Sequence, residues 1–180
     1  MVLRFATSDM RALDALQVDA LALTFFEDER PLRGIAAAVD WRLASGLSDL
    51  LVRGQINGGR SEQTLVSTAK RFPFERTFLF GCGNTHQWMP QDADEVLARC
   101  FDALEQINAR SVALGLPGRS MDCIGVEQAW TTLQASLAPR TGFSEVVVLD
   151  TPSAIRFMQD AARAALRTRR TLEGLRNAIS

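Results

Sequence analysis

"DALALTFFE", residues 19–27, is the stretch that decides the fold. From Ala20 to Phe26 only Thr24 is polar, and the run shows no alternation of wet and dry positions. A strand with one solvated face alternates with a period of two, whereas an unbroken apolar run belongs to a strand covered on both faces. Covering both faces requires helices on either side of a sheet. The sequence on either side of this strand fits that demand. Val2–Ala6 reads as a first strand, and "PLRGIAAAVDWRLASGLSDLLVR", residues 31–53, changes to helical spacing through Ile35, Val39, Leu43, Leu47, Leu50 and Leu51, with Gly46 separating two helices. After the glycine-rich "GQINGGRSEQ", residues 54–63, come strands over Thr64–Thr68 and Thr77–Phe80. Asp92 is placed to cap a helix, with Glu95 three residues on and a stripe of Val96, Leu97, Cys100, Phe101, Leu104 and Ile107. "SVALGL", residues 111–116, is another buried strand. A helix through Val126, Trp130 and Leu133 precedes the last strand, "FSEVVVLD", residues 143–150. Pro152 then opens a long helix over about 152–178, since proline's missing N–H has no partner in a first turn anyway. Strands alternating with helices imply a three-layer α/β/α sandwich with a largely parallel or mixed central sheet.

The chain has 180 residues, 47% hydrophobic and 23% charged, which suits one domain over residues 1–180 with a substantial core and excludes a disordered or fibrous class. Its formal net charge of -1 provides no overall field for nucleic acid or an anionic membrane. Lys70 is the sole lysine among 20 basic residues. Three cysteines without a close pair (Cys82, Cys100 and Cys123) favour reduced thiols in a cytoplasm over a disulfide framework, and argue against zinc. No apolar run approaches membrane-spanning length and the first residues lack a secretory signal pattern. No cofactor is implied.

"DALALTFFE", "GIAAAVDWRLASGLSDLLVRGQINGGRSEQTLV" and "RTFLFGCG" together resemble the N-terminal domain of the leucyl, or cytosol, aminopeptidases over about Asp19–Gly83, and in element order to about Asp150. The resemblance implies a macro-domain-like α/β/α fold. It also implies that catalysis lies elsewhere: the family's two-metal site belongs to a separate C-terminal domain, and its Asn-Thr-Asp-Ala-Glu-Gly-Arg signature has no counterpart here. One lysine cannot fill two lysine roles, so no catalytic residue and no metal ligand is carried over. The chain ends after a long helix, about where the family's linker leads to the peptidase half. The expectation is a non-catalytic, stand-alone relative acting in assembly or regulation, as a homo-oligomer or with a peptidase-type partner chain.

Two loops are candidate ligand sites, and each has a plainer reading beside it. Gly81-Cys82-Gly83-Asn84 and Gly115-Leu116-Pro117-Gly118-Arg119-Ser120 both follow strands, where exposed N–H groups can cradle an anion and Arg119 can pair with a phosphate. Because macro domains bind ADP-ribose, the resemblance offers ADP-ribose or another phosphate-bearing, nucleotide-like small molecule as the ligand. The plainer reading is that these glycines serve backbone geometry. Cys82 and His86 as nucleophile and base lack a third orienting group, and read instead as a core thiol and a loop histidine. Arg60 in "NGGRSEQ" is a further anion candidate, or part of a connecting turn; the family has a Gly-Lys pair there. Arg163, Arg167, Arg169, Arg170 and Arg176 read as a solvated helix face, since no interleaved aromatics support nucleic acid. Trp41, Trp88 and Trp130 read as core or rim. Trp88 is the one placed to stack on a base or anchor a partner if exposed. On the last helix Ile155, Met158, Ala162, Ala165 and Leu172 form a stripe whose first half covers the sheet, leaving Leu172, Leu175 and Ile179 to meet another chain.

Overall fold

The computed structural model describes residues 1–68 and 70–179, with side chains described as far as Arg167. The strand predicted from the apolar run, β2 (Ala20–Phe25), is buried at every position. Ala20 and Ala22 enter one hydrophobic core, and Leu21, Leu23 and Phe25 enter another on the opposite face. The period of two is present, but both faces are apolar, so it is invisible in the sequence. Around this strand lie β1 (Val2–Thr7), β3 (Gln63–Ser67), β4 (Arg76–Gly81), β5 (Ser111–Gly115) and β6 (Glu145–Asp150), in the order β1-β6-β5-β2-β4-β3. All neighbours run parallel except β3, which is antiparallel to β4. The sheet is therefore mixed, with five strands delivering their carboxyl ends to one edge.

Short helices α1 (Met10–Ala15), α2 (Gly34–Arg42) and α3 (Gly46–Val52) cover one face through Leu13, Ile35, Ala36, Val39 and Leu47. On the other face lie α4 (Asp92–Gln106), α5 (Val126–Leu137) and the start of α6 (Pro152–Ile179). The α4 stripe of Val96, Leu97, Cys100, Phe101 and Leu104 is fully interior. Each such large side chain contributes about 1.5–3 kcal/mol by leaving water. Arg140, reaching across from the end of α5, lies over the Phe101 ring at 5.2 Å and bonds Asp102 and Glu105 at 2.7 and 2.6 Å. The layers thus match the three-layer sandwich expected.

Two local expectations change, those for Asp92 and Trp41, and the structure adds detail at α1 and α6. Asp92 lies inside α4, not at its cap: its carboxylate accepts from Met89 N at 2.7 Å and ion-pairs with Arg60. The helix α1 carries a single buried residue, Leu13, too little for a periodic signal; its mark in the sequence is Asp9, whose carboxylate accepts from Ala12 N at 2.9 Å. Trp41 is neither core nor rim but 72% exposed on α2, whereas Trp130 is buried as expected. On α6, Ala154, Ile155 and Met158 are buried and Ala162 is half-buried, but Ala165 is exposed, because the helix has left the sheet by then. Leu172, Leu175, Ile179, Arg169, Arg170 and Arg176 lie outside the described side chains.

Candidate functional site

The turn that ends β4 is built by close backbone approach. Gly81 N donates to the Glu62 carbonyl at 2.9 Å, Cys82 N to Phe25 O at 2.9 Å and Gly83 N to Gly58 O at 2.8 Å. The three N–H groups that would cradle an anion are thereby committed to the chain's own carbonyls. Gly83 needs its glycine for a φ of +79°, and Gly81 for the passage of the Gly58–Gly59 backbone against it. Asn84 accepts from His86 N at 3.0 Å and caps the short turn Thr85–Gln87. Arg60, also an anion candidate, is held by Asp92. Arg60, Cys82, Gly83, Asn84 and Asp92 line a small cavity of about 70 Å³ together with Trp88. That indole is half-buried, edge-on to Phe26 with centroids 4.9 Å apart, and packs on Gly118. Trp88 therefore stands between the two glycine loops as a wedge, and the two loops line separate cavities.

The second loop opens on a cleft of about 250 Å³ at the carboxyl ends of β1, β6, β5 and β2, lined by Gly115, Arg119 and Ser120 along with Arg33, Gly34, Asp150 and Thr151. Ligand pockets usually run to roughly 300–1,000 Å³, so this one is small. Gly118 adopts a φ of +78° to turn the loop back. Arg119 does not point a free guanidinium at the cleft. Its Nε and Nη2 bond the Asp150 carboxylate at 2.9 and 3.3 Å, and Nη1 donates to Ile124 O at 3.1 Å. Across the cleft the Glu29 side chain is fully buried. One oxygen accepts from Arg33 N, the residue that caps α2, at 2.9 Å; the other accepts from Phe26 N and from the Ser120 hydroxyl, both at 3.2 Å. A carboxylate of the protein itself thus takes the N–H of the residue that caps α2, at a helix head where an anion from solution would otherwise be favoured.

Glu29 and Asp150 were not singled out from the sequence. The signal available was an acid just beyond or at the end of a buried apolar run, which must find donors nearby once it is buried. Burial raises the pKa of Glu29 above its usual value, and the hydrogen bonds from Arg33, Phe26 and Ser120 oppose that only in part. A carboxyl whose pKa is raised by folding contributes most below its unfolded value of 4.5, and loses that contribution as pH climbs through the folded value. Relative to wild type, Glu29→Gln should therefore gain stability as pH is raised from mildly acid to neutral. Urea unfolding at several pH values checks this, and parallel profiles for the two proteins would refute it.

Cys82 and His86 are not brought together. The thiol is buried, with a pKa pushed up to about 12 mainly by burial, while His86 is exposed on the turn. A thiol so hard to ionise is a core group, as the plainer reading had it. Among the described residues no group of three or more His, Cys, Asp or Glu side chains is placed to hold a metal, and no helix is long and apolar enough to cross a membrane.

Residues 21–136 match the sequence model of the cytosol aminopeptidase family, N-terminal domain. A probable cytosol aminopeptidase from Cyanothece sp. is 22% identical over 111 residues; the aligned stretch is 62% of this chain but only 22% of that relative's length. Among solved structures, the Oceanobacillus iheyensis macrodomain with ADP superimposes at a TM-score of 0.67, with 12% identity and 92% of both chains covered. The macrodomain of Mycobacterium tuberculosis DarG gives 0.61 at 16% identity, covering 82% of this chain and 97% of that one. A tomato leucine aminopeptidase variant gives 0.59 at 16% identity, over 88% of this chain and 35% of the enzyme. At these identities the structural likeness speaks for the fold alone.

Proposed function

The chain belongs to the cytosol aminopeptidase family through that family's N-terminal domain, and on that premise we propose that it is a non-catalytic relative that works in the cytoplasm by assembly. It binds a second copy of itself or a peptidase-type partner chain and thereby regulates rather than turns over substrate. The observation that carries this reading is that two groups at the cleft that would meet an anion are already engaged: Glu29 takes the Arg33 N–H at the head of α2, and Asp150 holds Arg119. The way α6 leaves the sheet supports it. Phe157 and Leu166 are exposed on that helix at 39% and 59%, beyond what covering the sheet requires. Gel filtration with light scattering tests the reading. A dimer or larger species, or a stable complex with a peptidase chain, is expected; a monomer that binds no such partner would overturn it.

A second reading keeps Gly81, Cys82, Gly83, Asn84, Gly115, Gly118, Arg119 and Ser120 as a site for ADP-ribose or another phosphate-bearing ligand. Its support is that Gly115, Arg119 and Ser120 line a cleft at the sheet edge where open α/β folds take ligands, and that one structural neighbour was solved with ADP. Calorimetric titration with ADP-ribose discriminates: heat with saturation favours this reading, and none at millimolar ligand removes it.

A further inference from the structure

We propose that Asn57-Gly58 is a self-processing site, where the chain converts its own Asn57 side-chain amide through a cyclic imide to aspartate and isoaspartate, with Glu62 as the base. Of the four asparagines Asn57, Asn84, Asn108 and Asn177, Asn57 alone precedes a glycine. The reaction requires the next residue's backbone nitrogen to reach the asparagine Cγ, and a glycine there puts no Cβ in the way. It also requires a group to take the proton from that nitrogen and a donor to hold the charge that builds on the amide oxygen. Both are in place. Gly58 N donates to Oε2 of Glu62 at 2.6 Å, within the reach of a general base. Gly59 N donates to Oδ1 of Asn57 at 2.6 Å, which polarises the carbonyl under attack and folds the side-chain amide back over the Gly58 peptide. Asn57 N donates to the same Glu62 oxygen at 2.9 Å, and Glu62 N to Gly59 O at 2.8 Å, so the base is fixed to the loop it serves by side chain and main chain alike. Asn57 itself is exposed, leaving a path for ammonia out and water in. A similar pair of contacts surrounds Asn84, whose Oδ1 accepts from His86 N while Thr85 N donates to Asp28. There a β-branched residue stands where Gly58 stands, and crowds the approach.

The step balances with water as the only co-reactant. As the Gly58 proton moves to the Glu62 carboxylate, the nitrogen's electron pair forms the bond to Cγ of Asn57. The Cγ–Nδ2 bond breaks, and Nδ2 leaves as ammonia with the proton from Glu62, which is thereby regenerated. Water then opens the imide. Cleavage between Gly58 N and Cγ leaves an aspartate at position 57; cleavage between Gly58 N and the main-chain carbonyl carbon leaves an isoaspartate, whose main chain runs through the side-chain carbon. The products bear on the fold because this loop is tied to its surroundings: Arg30 Nη2 donates to Asn57 O at 3.0 Å, and Gly83 N donates to Gly58 O at 2.8 Å in the turn after β4. An isoaspartate lengthens the main chain between those two contacts, and either product adds a carboxylate beside Glu62.

The test ages the purified chain and a synthetic peptide of residues 54–60 side by side in neutral buffer. Trypsin releases the same fragment from the chain between Arg53 and Arg60, and mass spectrometry with fragmentation follows Asn57 apart from Gln55. The folded chain is expected to convert about tenfold or more faster than the peptide, short of the roughly 10²–10⁴-fold that a positioned base contributes in an enzyme. Glu62→Gln keeps an acceptor oxygen but is no base, and is expected to fall to the peptide's rate, with thermal melting to show that it is folded. A folded wild-type chain that converts no faster than the peptide overturns the proposal without recourse to a variant. A folded Glu62→Gln that ages like wild type overturns the role of Glu62. The converted fraction, separated by ion exchange through its added charge, is expected to melt below fresh chain; an unchanged midpoint would overturn the link to the turn after β4.

Discussion

Gly81→Ala is expected to cost about 4 kcal/mol, lowering the thermal midpoint by roughly 8–16 °C for a chain of this size. A Cβ at this position runs into the Gly59 carbonyl oxygen and comes within 2.6 Å of the Gly58 carbonyl carbon. Both obstacles are backbone, and neither can retreat without loss. Gly81 N is tied to Glu62 O and Gly83 N to Gly58 O, while the Gly81 carbonyl accepts from Arg99 at 2.8 Å. Relief therefore requires breaking the seam that joins the end of β4 to the loop after α3. Gly115→Ala is the contrasting case: its Cβ would lie 2.9 Å from Cγ2 of Ile35, a side-chain methyl that can move, so the cost falls to about 1 kcal/mol. Gly125→Ala meets nothing within 4 Å and should be close to neutral. Thermal melts of the three variants give the ranking, and a Gly81→Ala protein melting within about 2 °C of wild type would show that the seam yields.

The layers were legible because they rest on period and continuity. The run Ala20–Phe26 demanded cover on both faces, the α4 stripe demanded a core, and Pro152 marked the start of α6; all three are features of neighbouring residues. The position of β3 was less legible, because the direction of a strand is set by the turn before it and the partner beside it, not by its composition. The two glycine loops were found, but their use was not. Whether Gly83 N faces solvent or a carbonyl depends on the Gly58 backbone, more than twenty residues away in the chain. Glu29 and Ser120 are likewise 91 positions apart. The spacing of residues along the chain carries no trace of such pairings. The aminopeptidase resemblance supplied the fold, yet could not say which side chains engage Arg33 N and Arg119 beside the cleft.

The Arg119–Asp150 pair separates the two functional readings most sharply. The guanidinium is 17% exposed and the carboxylate 6%, so the pair is largely withdrawn from water and removal of one partner leaves an uncompensated charge. Arg119→Ala leaves Asp150 with the N–H of Thr151, at 2.7 Å, as its remaining hydrogen bond among those described for the pair, and releases the hold on Ile124 O across the loop. The expected loss is about 3 kcal/mol, or roughly 6–12 °C in the midpoint. Asp150→Ala should cost a similar amount, and the double variant less than the sum, because it leaves no stranded charge; the shortfall measures the coupling. A phosphate-bearing ligand would have to draw the guanidinium from this carboxylate. If the cleft is a ligand site, Arg119→Ala should abolish the heat of ADP-ribose titration while wild type saturates. If Arg119 is a strut that closes the cleft, the variant should melt early while neither protein binds. A folded Arg119→Ala with an unchanged midpoint would refute the strut, whatever the titration gave.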